Sequence, residues 1–293
     1  MMHFRLFLFL ALLFGFCACS PSDQVTPTPS AIPLTPSPTI SPTATRVSPT
    51  PTATPLTCLS QPPRVDNGEI DTTKPPQLFL IYLPPCYDAN TDQHYPVLYL
   101  LHGQTYIDDQ WVRLGAPQAA NQLILSGQAP PFIIVFPDDR YWNLPDIEAG
   151  FGDRVANLII PYVDSNYRTL ADRQHRAVGG LSLGGGWAIH LGLTRYDLFG
   201  SVGLHSPAIR TDDGPYVESW IKAVPSASWP RIWIDAGDRD RELGSIMQFE
   251  NLLSAYQVPH EWHMYSGDHS ETYWSAHVAE YLQWYTEGWK SSP

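Results

Sequence analysis

The sequence predicts an α/β fold built on a mostly parallel sheet. Six short apolar runs have the length and composition of strands buried on both faces, which is typical of parallel sheets. Val155, Leu158, Ile159, Tyr162 and Val163 recur at the spacing of an amphipathic helix. Strand and helix patterns alternate along the chain, and this alternation defines the class. The runs are QLFLIYLP (77–84), YPVLYLL (95–101), FIIVF (132–136), RAVGGL (176–181), GSVGLH (200–205) and RIWIDAG (231–237).

Composition and charge restrict the possible functions. The chain has 293 residues, of which 43% are hydrophobic, and this is ample for a sizeable core. Its formal net charge is -12, and its 17 Lys and Arg residues are scattered along the sequence. Proteins that bind nucleic acid carry a clustered basic surface. We therefore expect no nucleic-acid partner.

Residues 1–19 are predicted to be an export signal of the bacterial lipoprotein type. Arg5 precedes an apolar run at residues 6–16, which is shorter than the roughly 20 residues that a membrane helix needs. Cys19 follows the small Ala18 and so resembles the lipidated cysteine of a lipobox. An ordinary secretory signal is the alternative. Either signal predicts an exported protein, and a lipid on Cys19 would be its only membrane anchor.

Residues 20–57 are predicted to be a disordered linker. Pro, Thr and Ser supply 25 of the 37 positions in residues 21–57, and no hydrophobic period is present. A segment of this composition cannot bury a core. At roughly 3.1 Å per residue in polyproline II conformation, it spans up to about 110 Å. Residues 58–293 contain no further linker and are predicted to form one domain.

The two cysteines of this domain, Cys58 and Cys86, are predicted to form a disulfide. Cysteine pairs of exported proteins are commonly bridged in oxidising compartments. Two buried free thiols remain the alternative, because the sequence does not show whether the Cα atoms lie within about 7 Å of each other.

A glycine-flanked serine marks the candidate nucleophile. In the segment GLSLG, Ser182 follows the predicted strand RAVGGL and precedes a helical pattern. This is the strand-turn-helix context of a nucleophile elbow, in which glycines permit a strained turn. The pentapeptide alone also fits a simple glycine-rich turn, so a general base and an acid are needed to support the chemistry.

An acid and a histidine follow the serine in the order that this fold requires. The strand RIWIDAG is followed by Asp238 and Asp240, and a further strand within HEWHMYSGDH is followed by His269. Loops at the carboxyl ends of parallel strands converge in space. We predict Ser182 as nucleophile, His269 as general base and acid, and Asp240 as the residue that orients the imidazole. Asp238 remains the alternative acid, and Asp235 is interpreted as a structural residue within the strand.

Several segments together resemble an esterase family of the α/β-hydrolases that includes feruloyl esterases, enterochelin esterases, S-formylglutathione hydrolases and mycolyltransferases. The resemblance covers nearly all of residues 65–287. It implies the α/β-hydrolase fold, with helices on both faces of the sheet, and a serine carboxylic-ester hydrolase. The segments are YLPPCYD, YPVLYLLHG, LIIPYVDSNYRTLADRQHRAVGGLSLGG, YDLFGSVGLHSPA, IDAGDRD and GDHSETYW.

The resemblance also implies the site residues. The family positions of the triad match Ser182, Asp240 and His269, and those of the oxyanion hole match the backbone N–H groups of Leu183 and Gln104. Hydrolysis through an acyl-enzyme needs no cofactor. Glycan, feruloyl or acetyl esters outside the cell are the expected substrates. An acyltransferase of the same fold and a non-catalytic glycan-binding module are the alternatives, and the oligomeric state is not predicted.

Aromatic residues in two loops are candidates for substrate binding. Tyr106, Trp111, Tyr141 and Trp142 lie in the segments QTYIDDQWVRLGAPQ and PDDRYWNLPDIEAG, and such rings stack on sugars or aromatic acyl groups. Simple packing within the protein is the alternative.

The remaining histidines are not expected to form a metal site. His260 and His263 are three residues apart on a predicted strand and so point to opposite faces, and no carboxylate cluster completes a ligand set. His102 is interpreted as a residue that shapes its loop. His190 and His205 are interpreted as packed or rim residues.

Overall fold

The computed structural model describes residues 57–140 and 150–290. The strands are β1 (Arg64–Ile70), β2 (Gln77–Leu83), β3 (Val97–Leu101), β4 (Ile133–Pro137), β5 (Arg176–Leu181), β6 (Ser201–His205), β7 (Arg231–Gly237) and β8 (Glu261–Tyr265). The helices are α1 (Gln110–Arg113), α2 (Ala116–Leu125), α3 (Phe151–Arg154), α4 (Ile160–Asn166), α5 (Leu183–Thr194), α6 (Val217–Ala223), α7 (Leu243–Ala255) and α8 (Glu271–Glu287). A π-helical turn, Val155–Ile159, joins α3 to α4. The predicted signal, Cys19 and nearly all of the predicted linker lie outside the described residues.

The described strands form one sheet of eight, in the order β1-β2-β4-β3-β5-β6-β7-β8. Strands β3 to β8 run parallel to one another, whereas β2 is antiparallel to both of its neighbours. Every residue of β3, β4, β5 and β6 is buried, as expected for strands covered on both faces. The prediction of a mostly parallel sheet is confirmed.

Helices cover both faces of the sheet. One face packs against α3 to α7 through a core that includes Phe151, Trp187, Ile221 and Phe249. The opposite face packs against α1, α2 and α8 through the second core, to which Trp111 and the aromatic side of α8 belong. The apolar stripe predicted on the α3–α4 segment faces the first core, where Val155, Ile159 and Val163 are fully buried. No helix in residues 57–140 and 150–290 is long and apolar enough to cross a membrane.

A disulfide joins the start of the described chain to the loop after β2. The sulfur atoms of Cys58 and Cys86 are 2.06 Å apart, with Cα atoms 5.1 Å apart, so the expected bridge is present. It closes a loop with a sequence separation of 28 residues. In the chain-entropy model, a loop of this length stabilises the folded state by about 3 to 4 kcal/mol.

Parallel pairing aligns the strand ends that carry the candidate site. Leu181 pairs with His205 across β5 and β6, and Gly237 pairs with Tyr265 across β7 and β8. The loops that follow β5, β7 and β8 therefore leave the same edge of the sheet. Ser182, Asp240 and His269 lie in these loops.

Candidate active site

Ser182 occupies a strained turn between β5 and α5. Its backbone angles are φ 53° and ψ -120°, a combination that residues other than glycine rarely adopt. The turn is held by two backbone hydrogen bonds, from the Ser182 N–H to the His205 carbonyl at 3.1 Å and from the Ala208 N–H to the Ser182 carbonyl at 2.8 Å. This arrangement is the nucleophile elbow that the segment GLSLG predicts.

The two glycines of GLSLG are required by close backbone approaches. A Cβ at Gly180 would lie 2.2 Å from the carbonyl carbon of Gly184, and a Cβ at Gly184 would lie 2.2 Å from the carbonyl oxygen of Leu101. Both distances are far inside van der Waals contact, and both neighbours are backbone atoms. Glycine at these positions therefore allows α5 to pack directly against the ends of β3 and β5.

Three side chains from the loops after β5, β7 and β8 form a continuous hydrogen-bonded chain. The Oγ of Ser182 lies 2.8 Å from Nε2 of His269. The Nδ1 of His269 lies 2.9 Å from Oδ1 and 3.1 Å from Oδ2 of Asp240. The imidazole is 5% exposed and the Asp240 carboxylate is fully buried. The structure thus brings together the three residues that the sequence predicts as a triad.

The Asp240 carboxylate is placed to remain ionised. Burial opposes its ionisation, but hydrogen bonds from His269 and from the Glu242 N–H, at 2.7 Å, outweigh this effect and hold the pKa of Asp240 below its usual value. A carboxylate in this position fixes the Nδ1–H tautomer of His269 and leaves Nε2 free to accept a proton from Ser182.

The other two aspartates of the segment IDAGDRD have structural contacts. Asp238 accepts a hydrogen bond from the Gly267 N–H at 3.0 Å and so ties the loop after β7 to the loop before His269. Asp235 is fully buried within β7. The geometry therefore favours Asp240 over Asp238 as the partner of His269.

Asp235 and His205 form a second histidine-aspartate pair, which is fully buried. The Oδ1 of Asp235 lies 2.7 Å from Nδ1 of His205, and Oδ2 accepts hydrogen bonds from the hydroxyls of Tyr273 and Tyr281 at 2.8 Å each. The Nε2 of His205 contacts the Tyr285 hydroxyl at 3.0 Å. Burial, followed by the nearby Asp235 charge, raises the pKa of all three tyrosines well above the usual value, so their hydroxyls remain protonated. This network anchors α8 to the sheet beneath the triad.

The two residues whose backbone N–H groups are predicted as oxyanion donors lie near Ser182. Leu183 is the first residue of α5, so its N–H has no acceptor within that helix. Gln104 follows Gly103, where an added Cβ would lie 3.4 Å from the Cβ of Ser182. The loop that carries Gln104 therefore lies directly against the nucleophile. Both predicted oxyanion donors are next to Ser182 in space.

A cleft of about 550 Å³ opens above Ser182. Tyr106, predicted as a substrate-binding residue, lines it and is 38% exposed. The guanidinium of Arg113 lies 5.4 Å from the centre of the Tyr106 ring. The lining also includes Gln104, Thr105, Gln110, Arg241, His269, Ser270, Glu271 and Trp274.

The prediction that Trp111 binds substrate is wrong. Its side chain is only 1% exposed and its Nε1–H donates to the Leu101 carbonyl at 2.9 Å. The ring packs edge-on against His205 and Tyr281 in the second core. Trp111 is the first apolar residue of α1, and it turns towards the sheet rather than towards the cleft. Tyr141 and Trp142 lie outside the described residues.

His102, His190 and His263 have structural partners. In His102, Nδ1 donates to the Gly103 carbonyl at 2.8 Å while Nε2 accepts the Asp139 N–H at 2.8 Å, so this residue shapes its loop as predicted. His190 contacts Asp213, and His263 stacks on Trp233. Within residues 57–140 and 150–290, no group of three or more His, Cys, Asp or Glu side chains could hold a metal ion.

Sequence reasoning missed Gln110 and Glu271. Gln110 is fully buried, and its side chain links the Gly103 N–H to the Glu271 carboxylate. Glu271 lies two residues after His269, within the segment GDHSETYW. Its position after the candidate base was the available signal, whereas a single glutamine in the polar loop QTYIDDQWVRLGAPQ carries no pattern of its own.

The sheet order, the elbow and the order Ser-Asp-His define the class of protein, an α/β-hydrolase. Residues 72–285 match the model of the family described as "Putative esterase", and the chain belongs to this family.

Two curated proteins and one solved structure show what this chain is similar to. An endo-1,4-beta-xylanase/feruloyl esterase of Xylanibacter ruminicola is 31% identical over 185 residues, which are 60% of this chain and 24% of that protein. An esterase of Mycobacterium tuberculosis is 29% identical over 241 residues, covering 64% of this chain and 51% of the relative. A solved structure of a ferulic acid esterase superposes with a TM-score of 0.69 at 25% identity, covering 78% of this chain and all of that one. The chain thus spans about a quarter to a half of the length of these two curated relatives.

Proposed function

We propose that this protein is a serine carboxylic-ester hydrolase that acts through an acyl-enzyme. The observation that carries the proposal is the continuous chain from the Oγ of Ser182 through His269 to Asp240. Its distances are those of a nucleophile activated by a base that is itself oriented by a carboxylate. Membership of the esterase family supports the same reaction.

The reaction proceeds in two steps on the chain's own groups. Ser182 attacks the ester carbonyl carbon while Nε2 of His269 takes its proton, and the Asp240 carboxylate stabilises the imidazolium. The N–H groups of Leu183 and Gln104 stabilise the oxyanion. The tetrahedral intermediate collapses as His269 gives the proton to the leaving alcohol. Water, deprotonated by His269, then attacks the acyl carbon. The bond to the Oγ of Ser182 breaks, His269 returns the proton to that oxygen, and the acid leaves.

Preorganisation of the oxyanion donors accounts for much of the rate. The Leu183 N–H is unpaired within α5 and lies at the positive end of that helix. Donors held in place before the reaction stabilise the developing charge without reorganising. Loss of one such donor lowers kcat by about 10² to 10³ in serine hydrolases.

Feruloyl or acetyl esters of glycans are the proposed substrates. The cleft volume lies within the range of sites that bind small molecules. Tyr106 offers an exposed ring at its wall for an aromatic acyl group or a sugar. The names of the xylanase/feruloyl esterase and ferulic acid esterase relatives support this substrate class.

Turnover by the full chain and by its Ser182→Ala variant tests the proposal. We expect the wild type to hydrolyse p-nitrophenyl acetate and methyl ferulate. The rate of Ser182→Ala is expected to be lower by a factor of about 10⁵ to 10⁶. Ser254→Ala is the matched control, because Ser254 lies on the exposed side of α7 and bonds only to Glu250. Near-normal turnover by Ser182→Ala would contradict the mechanism.

The same assay separates the alternatives. A glycan or alcohol acceptor that captures the acyl group in place of water would identify an acyltransferase. Glycan binding without serine-dependent turnover of any ester would identify a binding module.

An extracellular location on a lipid anchor is the proposed setting for this activity. It is supported by the apolar segment before Cys19 and by the Pro, Thr and Ser content of residues 20–57. Cys19→Ala is expected to move the protein from the membrane fraction to the medium in a bacterial host. An unchanged membrane fraction would contradict lipidation at this residue.

A further inference from the structure

We propose that Gln110 is a positioning residue that sets the oxyanion hole and couples it to the helix that follows His269. The proposal rests on the esterase function proposed above. Gln110 touches neither the Ser182 hydroxyl nor the imidazole, and it acts through the loop of residues 102–106 and through Glu271.

Gln110 holds the loop that carries the Gln104 N–H. Its Oε1 accepts the Gly103 N–H at 2.8 Å, and its side chain is fully buried. The buried Gly103 N–H faces this oxygen, so the orientation of the amide follows from the need to pair that donor. Thr105, two residues further on, has φ 70°, which shows that the loop makes a tight turn. The Gln110 contact therefore fixes the turn just before the oxyanion donor.

The peptide that contains the Gln104 N–H is also held at its carbonyl end. The Gly103 carbonyl accepts hydrogen bonds from Nδ1 of His102 at 2.8 Å and from the Tyr106 N–H at 3.3 Å. The C=O and N–H of one trans peptide lie in a plane and point in opposite directions. Fixing the Gly103 carbonyl therefore sets the direction of the Gln104 N–H. Gln110 and His102 hold the two successive peptides of this turn.

The other end of the Gln110 amide reaches the opposite wall of the cleft. Its Nε2 donates to Oε1 of Glu271 at 3.1 Å. Glu271 is the first residue of α8 and lies two residues after His269. The Glu271 carboxylate also pairs with Arg113, at 3.2 Å from its Oε1. One buried side chain thus joins the oxyanion loop to the segment that holds the base.

Loss of this bridge affects the transition state more than substrate binding. An apolar side chain at position 110 leaves the buried Gly103 N–H without an acceptor, which is unfavourable and favours a rearranged loop. The rearrangement turns the Gln104 N–H away from the oxyanion. The oxyanion exists only in the tetrahedral state, so kcat falls while KM changes little.

The test compares two variants of Gln110 with the wild type. Gln110→Met keeps the length of the side chain but removes both hydrogen bonds. We expect kcat to fall about 10- to 100-fold, less than for loss of a direct donor, with KM within about threefold of the wild type. Gln110→Glu keeps the acceptor for the Gly103 N–H but places a second carboxylate against Glu271, so its kcat is expected to lie between those of Gln110→Met and the wild type.

The affinity for an alkylboronic acid separates positioning from general damage. Ser182 forms a tetrahedral adduct with such an acid, and one adduct oxygen occupies the oxyanion position. We expect Gln110→Met to weaken boronic acid binding by the same factor as kcat. Gln118→Met, an exposed glutamine on α2, is the control and is expected to leave both values unchanged.

The outcomes are distinct. A folded Gln110→Met with wild-type kcat, a loss expressed only in KM, or a loss in kcat without weaker boronic acid binding overturns the inference alone. If Gln110→Met does not fold, Gln110→Glu carries the test, and wild-type kcat and boronic acid affinity in this variant overturn the coupling to Glu271. No serine-dependent turnover by the wild type overturns the proposed function and this inference with it.

Discussion

Within residues 57–140 and 150–290, two buried histidine-aspartate pairs meet through Nδ1 at nearly the same distance, and their surroundings differ. His269 meets Asp240 through Nδ1 at 2.9 Å, and His205 meets Asp235 through Nδ1 at 2.7 Å. The pairs differ at Nε2. His269 contacts the Ser182 hydroxyl beside a cleft, whereas His205 contacts the Tyr285 hydroxyl in the core.

The two imidazoles are oriented alike by their carboxylates and differ in what surrounds them. The outer pair has the Ser182 hydroxyl at Nε2 and lies beside the cleft. The inner carboxylate receives hydrogen bonds from His205, Trp233, Tyr273 and Tyr281, which satisfy it completely. A buried polar network of this kind rigidifies the structure rather than moving protons. Substitutions in the two pairs should therefore separate turnover from stability.

Asp240→Asn is expected to have the largest effect. The neutral amide cannot stabilise the imidazolium and favours the wrong tautomer of His269, so kcat should fall about 10⁴-fold. Hydrolysis of p-nitrophenyl acetate measures the change, and thermal melting should show a folded protein. Asp238→Asn is the control, because Asp238 contacts the Gly267 N–H and Arg239 rather than His269. A loss as large as that of Asp240→Asn would reverse the choice of acid.

Asp235→Asn is expected to act on stability. Removing one member of a buried, hydrogen-bonded pair lowers the free energy of unfolding by about 3 to 5 kcal/mol. Urea denaturation measures this loss, and kcat per folded molecule should fall far less than in Asp240→Asn. A stable Asp235→Asn protein with catalysis as poor as that of Asp240→Asn would contradict the distinction between the two pairs.

Tyr285→Phe tests the partner of the inner imidazole and should have a smaller effect. It removes the hydroxyl that contacts His205 and is expected to destabilise the protein by about 1 kcal/mol, with kcat unchanged. Tyr256→Phe is the matched control, because the Tyr256 hydroxyl contacts Glu218 at the surface. Equal stability changes in the two variants would show that the inner network is not coupled to folding.

The pH dependence of stability gives the smallest expected effect. The folded-state pKa of Asp240 lies below its usual value, so its contribution to stability is present above the ordinary carboxyl pKa of about 4. This contribution is lost as pH falls through the folded-state pKa. We expect the stability difference between the wild type and Asp240→Asn to shrink below pH of about 4. Urea denaturation at several pH values measures it, and a constant difference would contradict the assignment.

Much of the sheet follows from the sequence because its central strands are buried on both faces. The runs at residues 77–84 and 176–181 coincide with β2 and β5 to within one residue. Strand β1, RVDNGEI, was not predicted, because it lies at the edge of the sheet beside β2 and most of its side chains reach solvent. An edge strand of this kind lacks the apolar signal of a buried strand. The π-helical turn within the α3–α4 segment has no sequence signature either.

The order of residues along the chain predicted the triad, whereas the contacts around it are seen only in the structure. Ser182, Asp240 and His269 were predicted from strand ends, and the structure brings them together, while their roles in catalysis stay predictions. The sequence could not separate Asp238 from Asp240, because both follow β7 within three residues. Trp111 was misassigned because loop composition does not show which way an aromatic side chain points.

The disulfide has a mechanical consequence. Tension applied to the chain before Cys58 reaches Cys86 through the covalent bridge, without passing along the residues between them. The load therefore bypasses β1, which is held by a single ladder to β2 and would otherwise be peeled from the edge of the sheet. A domain pulled from this end is therefore loaded at the loop after β2, which lies at the edge of the sheet opposite to the carboxyl ends of β5, β7 and β8.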